Sequence, residues 1–380
     1  MKAGARTERL AAALQSARPR PRVAGLLADN SADWVAIDLA AQTAGVVLVP
    51  LPAFFTLAQC EHAVCATGMD ALFCDAQQLA RALGFEPAGT LEDLRWYRRD
   101  TAPVQLLPGT AKVTFTSGTT GAPQGVPLSA AGQWAVARSL ADAARVLEIR
   151  RHLCLLPLPV LLENVAGAYA AHLADAECCL PPLAETGIKG AAGFDAAACL
   201  ASIERREPHS VILLPQMLQA LVREIENGSR APRSLRFAAV GGAKVSPALI
   251  TRARALGLPV YEGYGLSECA SVVALNLPGA DRPGSAGRPL PHVELKIEDD
   301  EVLVRPGEGE WLGTGDLGRL DGEGFLYIEG RRKHLLITSY GRNVSPEWPE
   351  AELLAGGAIA QAAVFGEARP QLCALVVPAA

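Results

Sequence analysis

Short apolar runs alternate with longer stretches of helical periodicity along most of the chain. Val23 to Leu27, Val46 to Pro50, Ala71 to Cys74 and Val113 to Thr116 read as strands. Ala32 to Thr43, Leu57 to Ala66 and Ala130 to Leu147 read as helices among them. The alternation continues with strands at Leu153 to Leu156, Val211 to Leu214, Arg236 to Val240 and Pro259 to Tyr261, separated by helices centred near Cys199, Leu221 and Ile250. A strand covered on both faces shows as an unbroken apolar run, so this rhythm predicts an α/β fold of layered, mostly parallel sheets and helices. Near Pro278 the pattern changes to short strands and Gly/Asp turns: Val293 to Ile297, Glu301 to Val304 and Phe325 to Ile328. We therefore expect a large N-terminal domain over residues 1–330, ending in a small β-rich subdomain at about 278–330. Residues 331–380 read as a short α+β C-terminal domain. It holds a strand at Leu335 to Thr338, a helix opened by Ser345-Pro346-Glu347, and strands near Ala362 and Ala374. Proline fits the first turn of a helix behind a serine cap. The N-terminal stretch MKAGARTERLAAALQSARPRPR reads as a short helix followed by a Pro/Arg linker.

Composition narrows the functional classes. The chain has 380 residues, half of them hydrophobic and 20% charged, enough to bury sizeable cores. A net charge of −5 and only 5% aromatic residues argue against a nucleic-acid partner, which needs a basic face and stacking platforms. The nine cysteines show no paired C-x-x-C spacing, so they read as reduced thiols of a cytoplasmic protein rather than a disulfide framework or zinc site. The longest apolar runs, Gly45 to Phe55 and Leu153 to Leu162, fall short of the roughly 20 residues that span a bilayer. The N-terminus lacks the apolar core of a signal peptide.

The segment richest in chemistry is Val113 to Val126, VTFTSGTTGAPQGV. An apolar strand runs into hydroxyl residues and glycines, with a helix expected behind them. Glycines let backbone N–H groups approach an anion, and hydroxyls add donors, so the composition is that of a phosphate-cradling loop. It is not a P-loop, because the Gly-Lys-Ser/Thr ending is absent.

TSGTTGAPQGV resembles the ATP-phosphate loop of the adenylate-forming, AMP-binding superfamily, which includes acyl-CoA synthetases, aryl-CoA ligases, luciferases and nonribosomal-peptide adenylation domains. Other segments follow in the family's order: LPLPVLLENV (Leu156 to Val165), VGGA (Val240 to Ala243), YEGYGLSE (Tyr261 to Glu268), GSAGRP (Gly284 to Pro289), GTGDLG (Gly313 to Gly318) and GRRKHLLITSYGRNVSPE (Gly330 to Glu347). LPLPVLLENV and GRNVSPE look most like the long-chain fatty acyl-CoA branch. The resemblance implies ATP-dependent conversion of a carboxylic acid, here expected to be fatty, to an acyl-adenylate, followed by transfer to CoA. ATP, Mg²⁺ and CoA are the implied cofactor and co-substrates. Thr116 and Glu268 are implied to hold Mg²⁺ and, with Arg331, to form the catalytic set. Ser117, Gly118, Thr119, Thr120, Gly121 and Gly125 would cradle phosphates, and Ser267 would bond the α-phosphate. Gly242, Ala243, Glu262 and Gly263 would line the adenine pocket, with Tyr264 stacked on the base. Asp316 would accept the ribose hydroxyls, Arg331 would reach ribose or phosphate, and Lys333 occupies the hinge about which the C-terminal domain swings.

The sequence departs from the family pattern in several places. Gln124 stands where the phosphate loop normally has lysine, and Val160 stands near the usual histidine of the LPLxH segment. The stretch between Val304 and Gly313 is short, and His334 replaces an acidic residue beside the hinge. The resemblance also places a catalytic lysine on a strand–loop after Ala380. Losing one preorganised charged donor costs about 10²–10³ in rate, so slow adenylation is expected, or a partner supplying the lysine. The alternatives are a catalytically weakened module that binds nucleotide or acyl-adenylate, and a ligase for an aryl acid or an acyl-carrier-protein thiol.

Overall fold

The computed structural model describes residues 4–116, 123–190, 193–340 and 342–378. Two seven-stranded sheets dominate it. In the first, the strand order is Glu86–Leu91, Leu94–Arg98, Ala71–Cys74, Val23–Leu27, Val47–Pro50, Thr110–Thr116 and Gln124–Ser129. In the second it is Arg288–Pro289, Ser271–Leu275, Val260–Leu266, Phe237–Val240, Ser210–Leu213, Arg151–Leu153 and Glu177–Cys179. Central pairs are parallel, and antiparallel strands close both edges of the first sheet and one edge of the second. The expected α/β layering is present. The β-rich segment is an antiparallel sheet of Val293–Glu298, Glu301–Pro306, Leu312–Leu320 and Leu326–Arg331. Beyond it come the helix Glu347–Ala355 and the hairpin Ile359–Phe365/Cys373–Pro378.

Helices fill the space between the large sheets. Trp34, Ile37 and Ala40 of helix Ala32–Ala44 share a core with Leu26 and Leu48 of the first sheet and with Cys154 and Leu158 beside the second. Val136, Ala137 and Leu140 of helix Ala130–Arg145 pack on Val126, Leu128, Val272 and Leu275. One buried charge pins these layers. Lys112 lies fully buried in strand Thr110–Thr116 with its Nζ 2.9 Å from Asp38 Oδ2, and it also donates to Asn164. Tyr169 O–H donates to the same Asp38 oxygen. Burial pulls the Lys112 pKa down and pushes the Tyr169 pKa up. The network fixes the strand that ends at Thr116, where the predicted phosphate loop begins.

Three expectations are refined. The helix expected behind the loop is present as Ala130–Arg145. An antiparallel strand, Gln124–Ser129, comes first, with Gln124 registered on Thr116, and only then does Ser129 cap helix Ala130–Arg145 by accepting from Gly132 N–H. Second, Ser345 caps no backbone donor. Its hydroxyl donates to the carboxylate of Glu347, and Pro346 occupies the N-cap. Third, the Pro/Arg stretch after the first helix is docked rather than a loose linker. The Asp70 carboxylate accepts from the backbone N–H groups of Arg22 and Val23, and Leu10 and Leu14 of helix Gly4–Ser16 are fully buried. All nine cysteines are free thiols, five of them buried. Among the described residues, no helix is long and apolar enough to cross a membrane.

Candidate active site

A cleft of about 600 Å³ opens where strands Phe237–Val240 and Val260–Leu266 end and the four-stranded sheet begins. Parallel sheets bind ligands at the carboxyl ends of their strands, because the strand-to-helix turns there are free to vary. The turn after Phe237–Val240 is tight. Gly242 has φ +85°, a left-handed conformation that costs glycine nothing. A Cβ on neighbouring Gly241 would lie 3.0 Å from the Gly263 carbonyl oxygen. Lys244 Nζ donates to the Ile328 carbonyl at 2.8 Å, which ties this turn to the four-stranded sheet. Gly242, Ala243, Glu262, Gly263, Tyr264, Asp316 and Arg331, all expected to contact nucleotide, line this one cleft.

Asp316 is its polar centre. The residue is 4% exposed and sits opposite Arg331 in the antiparallel register. Arg331 Nε is 2.8 Å from Asp316 Oδ1, and the Tyr264 hydroxyl donates to Oδ2 at 2.6 Å. Each carboxylate oxygen keeps a further lone pair for an incoming hydroxyl. Burial, then the Asp316 charge, raises the Tyr264 pKa, so the phenol is a fixed neutral donor.

Glu262 presents the opposite situation. Its Oε2 is buried and takes no hydrogen bond among the described residues. Burial pushes its pKa up to about 8, against the opposing pull of Lys244, so the side chain is mostly protonated at neutral pH. A buried polar atom without a partner is costly, and this one belongs to a residue lining the cleft; a ligand polar group would satisfy it.

The remaining predicted residues are placed as follows. Ser267 and Glu268 form the turn Ser267–Cys269, beside strand Gln124–Ser129, and Glu268 is exposed. Thr116 stands at the end of its strand, directly across from Gln124. The turn of Glu268 contacts strand Gln124–Ser129, which pairs in turn with the strand of Thr116, and neither residue lines the cleft. Gly125 lies within strand Gln124–Ser129, where a Cβ would crowd Val113 and Phe115 at 3.1–3.2 Å. Close strand packing is a sufficient reason for glycine there. Lys333 is in the short turn Arg332–His334. Ser117, Gly118, Thr119, Thr120 and Gly121 lie outside the described residues.

The cleft also contains residues that the sequence motifs do not single out as ligands: Lys244, Glu347, Trp348 and Glu352, with His334, a departure from the family pattern. His334 Nδ1 is 2.7 Å from Glu347 Oε1. Although burial opposes it, hydrogen bonds from Ser345 and His334 hold the Glu347 pKa below the usual carboxylate range. Ser246 donates to Glu352 at 3.0 Å, and Arg252 bonds the Ala355 carbonyl, so helix Glu347–Ala355 is seated on the second large sheet's helices. Sequence spacing had given no metal group, yet His152, Cys154 and Glu163 bring ligand atoms within 4.8 Å of one another. They lie deep in the core. His152 and Glu163 are already hydrogen-bonded to each other, and further to Ser210 and to the Leu156 N–H.

Residues 2–316 match the model of the AMP-binding enzyme family. The chain belongs to the AMP-binding enzyme family. A 2-succinylbenzoate–CoA ligase of Bacillus subtilis is 33% identical over 294 residues, covering 68% of this chain and 56% of that protein. A long-chain-fatty-acid–CoA ligase of Mycobacterium bovis is 40% identical, but over only 159 residues, 37% of this chain and 26% of that protein. Among solved structures, the O-succinylbenzoate coenzyme A synthetase of Bacillus subtilis in complex with ATP and magnesium ion superposes with TM-score 0.77 and 27% identity, over 98% of this chain and 83% of that one. The chain spans little more than half the length of the first curated relatives it matches.

Proposed function

We propose that this AMP-binding enzyme activates a carboxylic acid with ATP and passes the acyl group to a thiol, normally CoA. The observation that carries the reading is the cleft itself. A buried carboxylate flanked by a tyrosine and an arginine shares the cleft with a glycine turn and a glutamate that has one unpartnered buried oxygen, a set of groups suited to ribose on one side and a base on the other. In the first half-reaction a carboxylate oxygen attacks the α-phosphorus of ATP and pyrophosphate leaves. In the second, the thiol attacks the acyl carbon, AMP leaves with the bond electrons, and the thiol proton goes to solvent.

The chain's own residues act by positioning. Asp316 accepts the ribose hydroxyls while Arg331 and Tyr264 hold it in place. Glu262 offers its unpartnered Oε2 to the base. Tyr264 stacks on it, and Ser267 bonds the α-phosphate. Thr116 and Glu268, hard oxygen donors on two elements that each contact strand Gln124–Ser129, would hold a magnesium ion, which when bound neutralises triphosphate charge. Lys333 and its turn act as the hinge between residues 1–330 and 331–380, and the His334–Glu347 contact braces the turn against the helix that follows it.

The class of acid is a separate question. Relatives matched over two thirds of this chain are named for 2-succinylbenzoate, whereas the fatty-acid relative matches little more than a third. Gln124, which brings no charge to the phosphate strand, favours slow adenylation and keeps a second reading alive: a module that holds nucleotide without turnover. Pyrophosphate exchange into ATP across a panel of acids separates the two. Exchange with any acid supports the enzyme; ATP binding with no exchange and no thioester supports the module.

A further inference from the structure

Behind the cleft lies a second hollow, of about 80 Å³, under helix Ala130–Arg145. The two share their framework. Phe237 and Ala239 line the hollow, and their strand runs directly into the Gly241–Gly242 turn of the cleft. Gly263 lines the cleft and Leu275, registered opposite it, lines the hollow. A Cβ on Gly263 would lie 2.9 Å from Leu275 Cδ1, so the thickness of one leucine side chain separates the two spaces.

The chemistry of the hollow is one-sided. Leucine, isoleucine, valine and alanine make up most of its wall, and among the described residues no lysine, arginine, aspartate or glutamate lines it. Its one titratable group, His152, has both ring nitrogens engaged: Nδ1 with Ser210 Oγ at 3.0 Å and Nε2 with Glu163 Oε1 at 2.9 Å. Glu163 is fully buried, so any positive charge on His152 is already matched. An anionic group entering here would lose its water and find no free cation, next to a buried carboxylate. Volume separates the remaining candidates. An apolar cavity of about 150 Å³ holds a benzene ring, and this one has roughly half that, room for a short alkyl segment.

We propose that this hollow receives the tail of the acid, with Leu275 as the gate, and that it selects an uncharged aliphatic tail against one ending in a second carboxylate. The inference rests on the acid-activating reading above and separates this chain from relatives named for 2-succinylbenzoate, a dicarboxylate. Each methylene entering the hollow adds about fourfold in affinity until the space is full. A tail that stays in the open cleft adds much less.

The test is isothermal titration of the full chain with butyrate, hexanoate, octanoate, benzoate and 2-succinylbenzoate, with ATP affinity measured on the same preparation. Affinity is expected to climb from butyrate to hexanoate, with 2-succinylbenzoate at least tenfold weaker than hexanoate. Ala170→Leu, which fills the hollow, should abolish the gain with chain length and leave ATP affinity unchanged. Ala144→Leu, on the half-buried rim, serves the same purpose if Ala170→Leu fails to fold. Leu275→Ala should extend the rise to octanoate. Affinity independent of chain length, 2-succinylbenzoate binding as tightly as hexanoate, or no response to the filling variants would overturn the proposal. Normal ATP binding alongside any of these leaves the acid-activating reading standing. Absence of ATP binding removes that reading, and the tail site is then judged on acid binding alone.

Discussion

The polar cleft and the apolar hollow meet at Gly263 and Leu275, yet they are built by different rules. In the cleft, single side chains at strand ends do separate tasks, and each has a specific partner: Tyr264 and Arg331 for Asp316, Ile328 O for Lys244, His334 for Glu347. In the hollow no single residue dominates. Leu140, Leu147, Leu162, Val272 and Leu275 each supply part of one surface. Polar recognition concentrates binding energy in a few atoms, so the loss of one is severe. Apolar recognition spreads it over area, so substitutions there retune size.

The largest break in this contrast is expected at Asp316. Asp316→Ala leaves Arg331 and Tyr264 without their acceptor and removes the ribose partner. MgATP affinity should fall about a hundredfold or more, while hexanoate affinity in the absence of nucleotide holds. Equal losses for both ligands would mean that the cleft and the hollow are not separable. Gln124→Lys comes next. A cation restored beside Thr116 should raise the pyrophosphate-exchange rate about tenfold, less than the ~10²–10³ of a preorganised donor because Gln124 is exposed. An unchanged rate would show that the transferred phosphates do not pass this strand.

An effect of similar size is expected at Tyr264. Tyr264→Phe removes one hydrogen bond to a charged acceptor that keeps Arg331, so ATP affinity should fall about tenfold. Glu262→Gln gives the smallest change and the clearest pH signature. Between about pH 4.5 and pH 8 the unfolded chain has released this proton and the folded chain has kept it, so native stability falls as pH rises through that window and levels off above it. The glutamine variant should lose this slope and melt a few degrees higher at pH 8. A variant with the parent's pH profile would show that Glu262 is not titrating.

The same contrast explains what was legible in the sequence. The cleft could be read because its residues sit in short motifs that resemble the family's, and those motifs fall at turns: Gly242 takes a left-handed φ, and Asp316 follows Gly315 in a Gly-rich strand. The hollow could not, because its alanines and leucines come from several distant elements and resemble any core. The hairpin Glu86–Leu91/Leu94–Arg98 was also invisible. Its first strand is almost wholly exposed, so no apolar alternation marks it, and its turn places Glu92 and Asp93 at φ +49° and +70° without glycine. Strand Leu312–Leu320 reads as a turn because three glycines interrupt it. It stays extended because both neighbouring strands pair with it, and a Cβ on Gly318 would meet Tyr327 O at 2.6 Å. Lys112 passes for a solvated strand residue until Asp38, Asn164 and Tyr169 converge on it.

The most direct test of the nucleotide assignment is photolabelling of the full chain with 8-azido-ATP and magnesium, with the modified peptides located by mass spectrometry. Label concentrated on residues 240–266, protected by excess ATP and absent from Asp316→Ala, is the predicted result. Label spread over the surface, or unaffected by ATP or by loss of the Asp316 carboxylate, would contradict it.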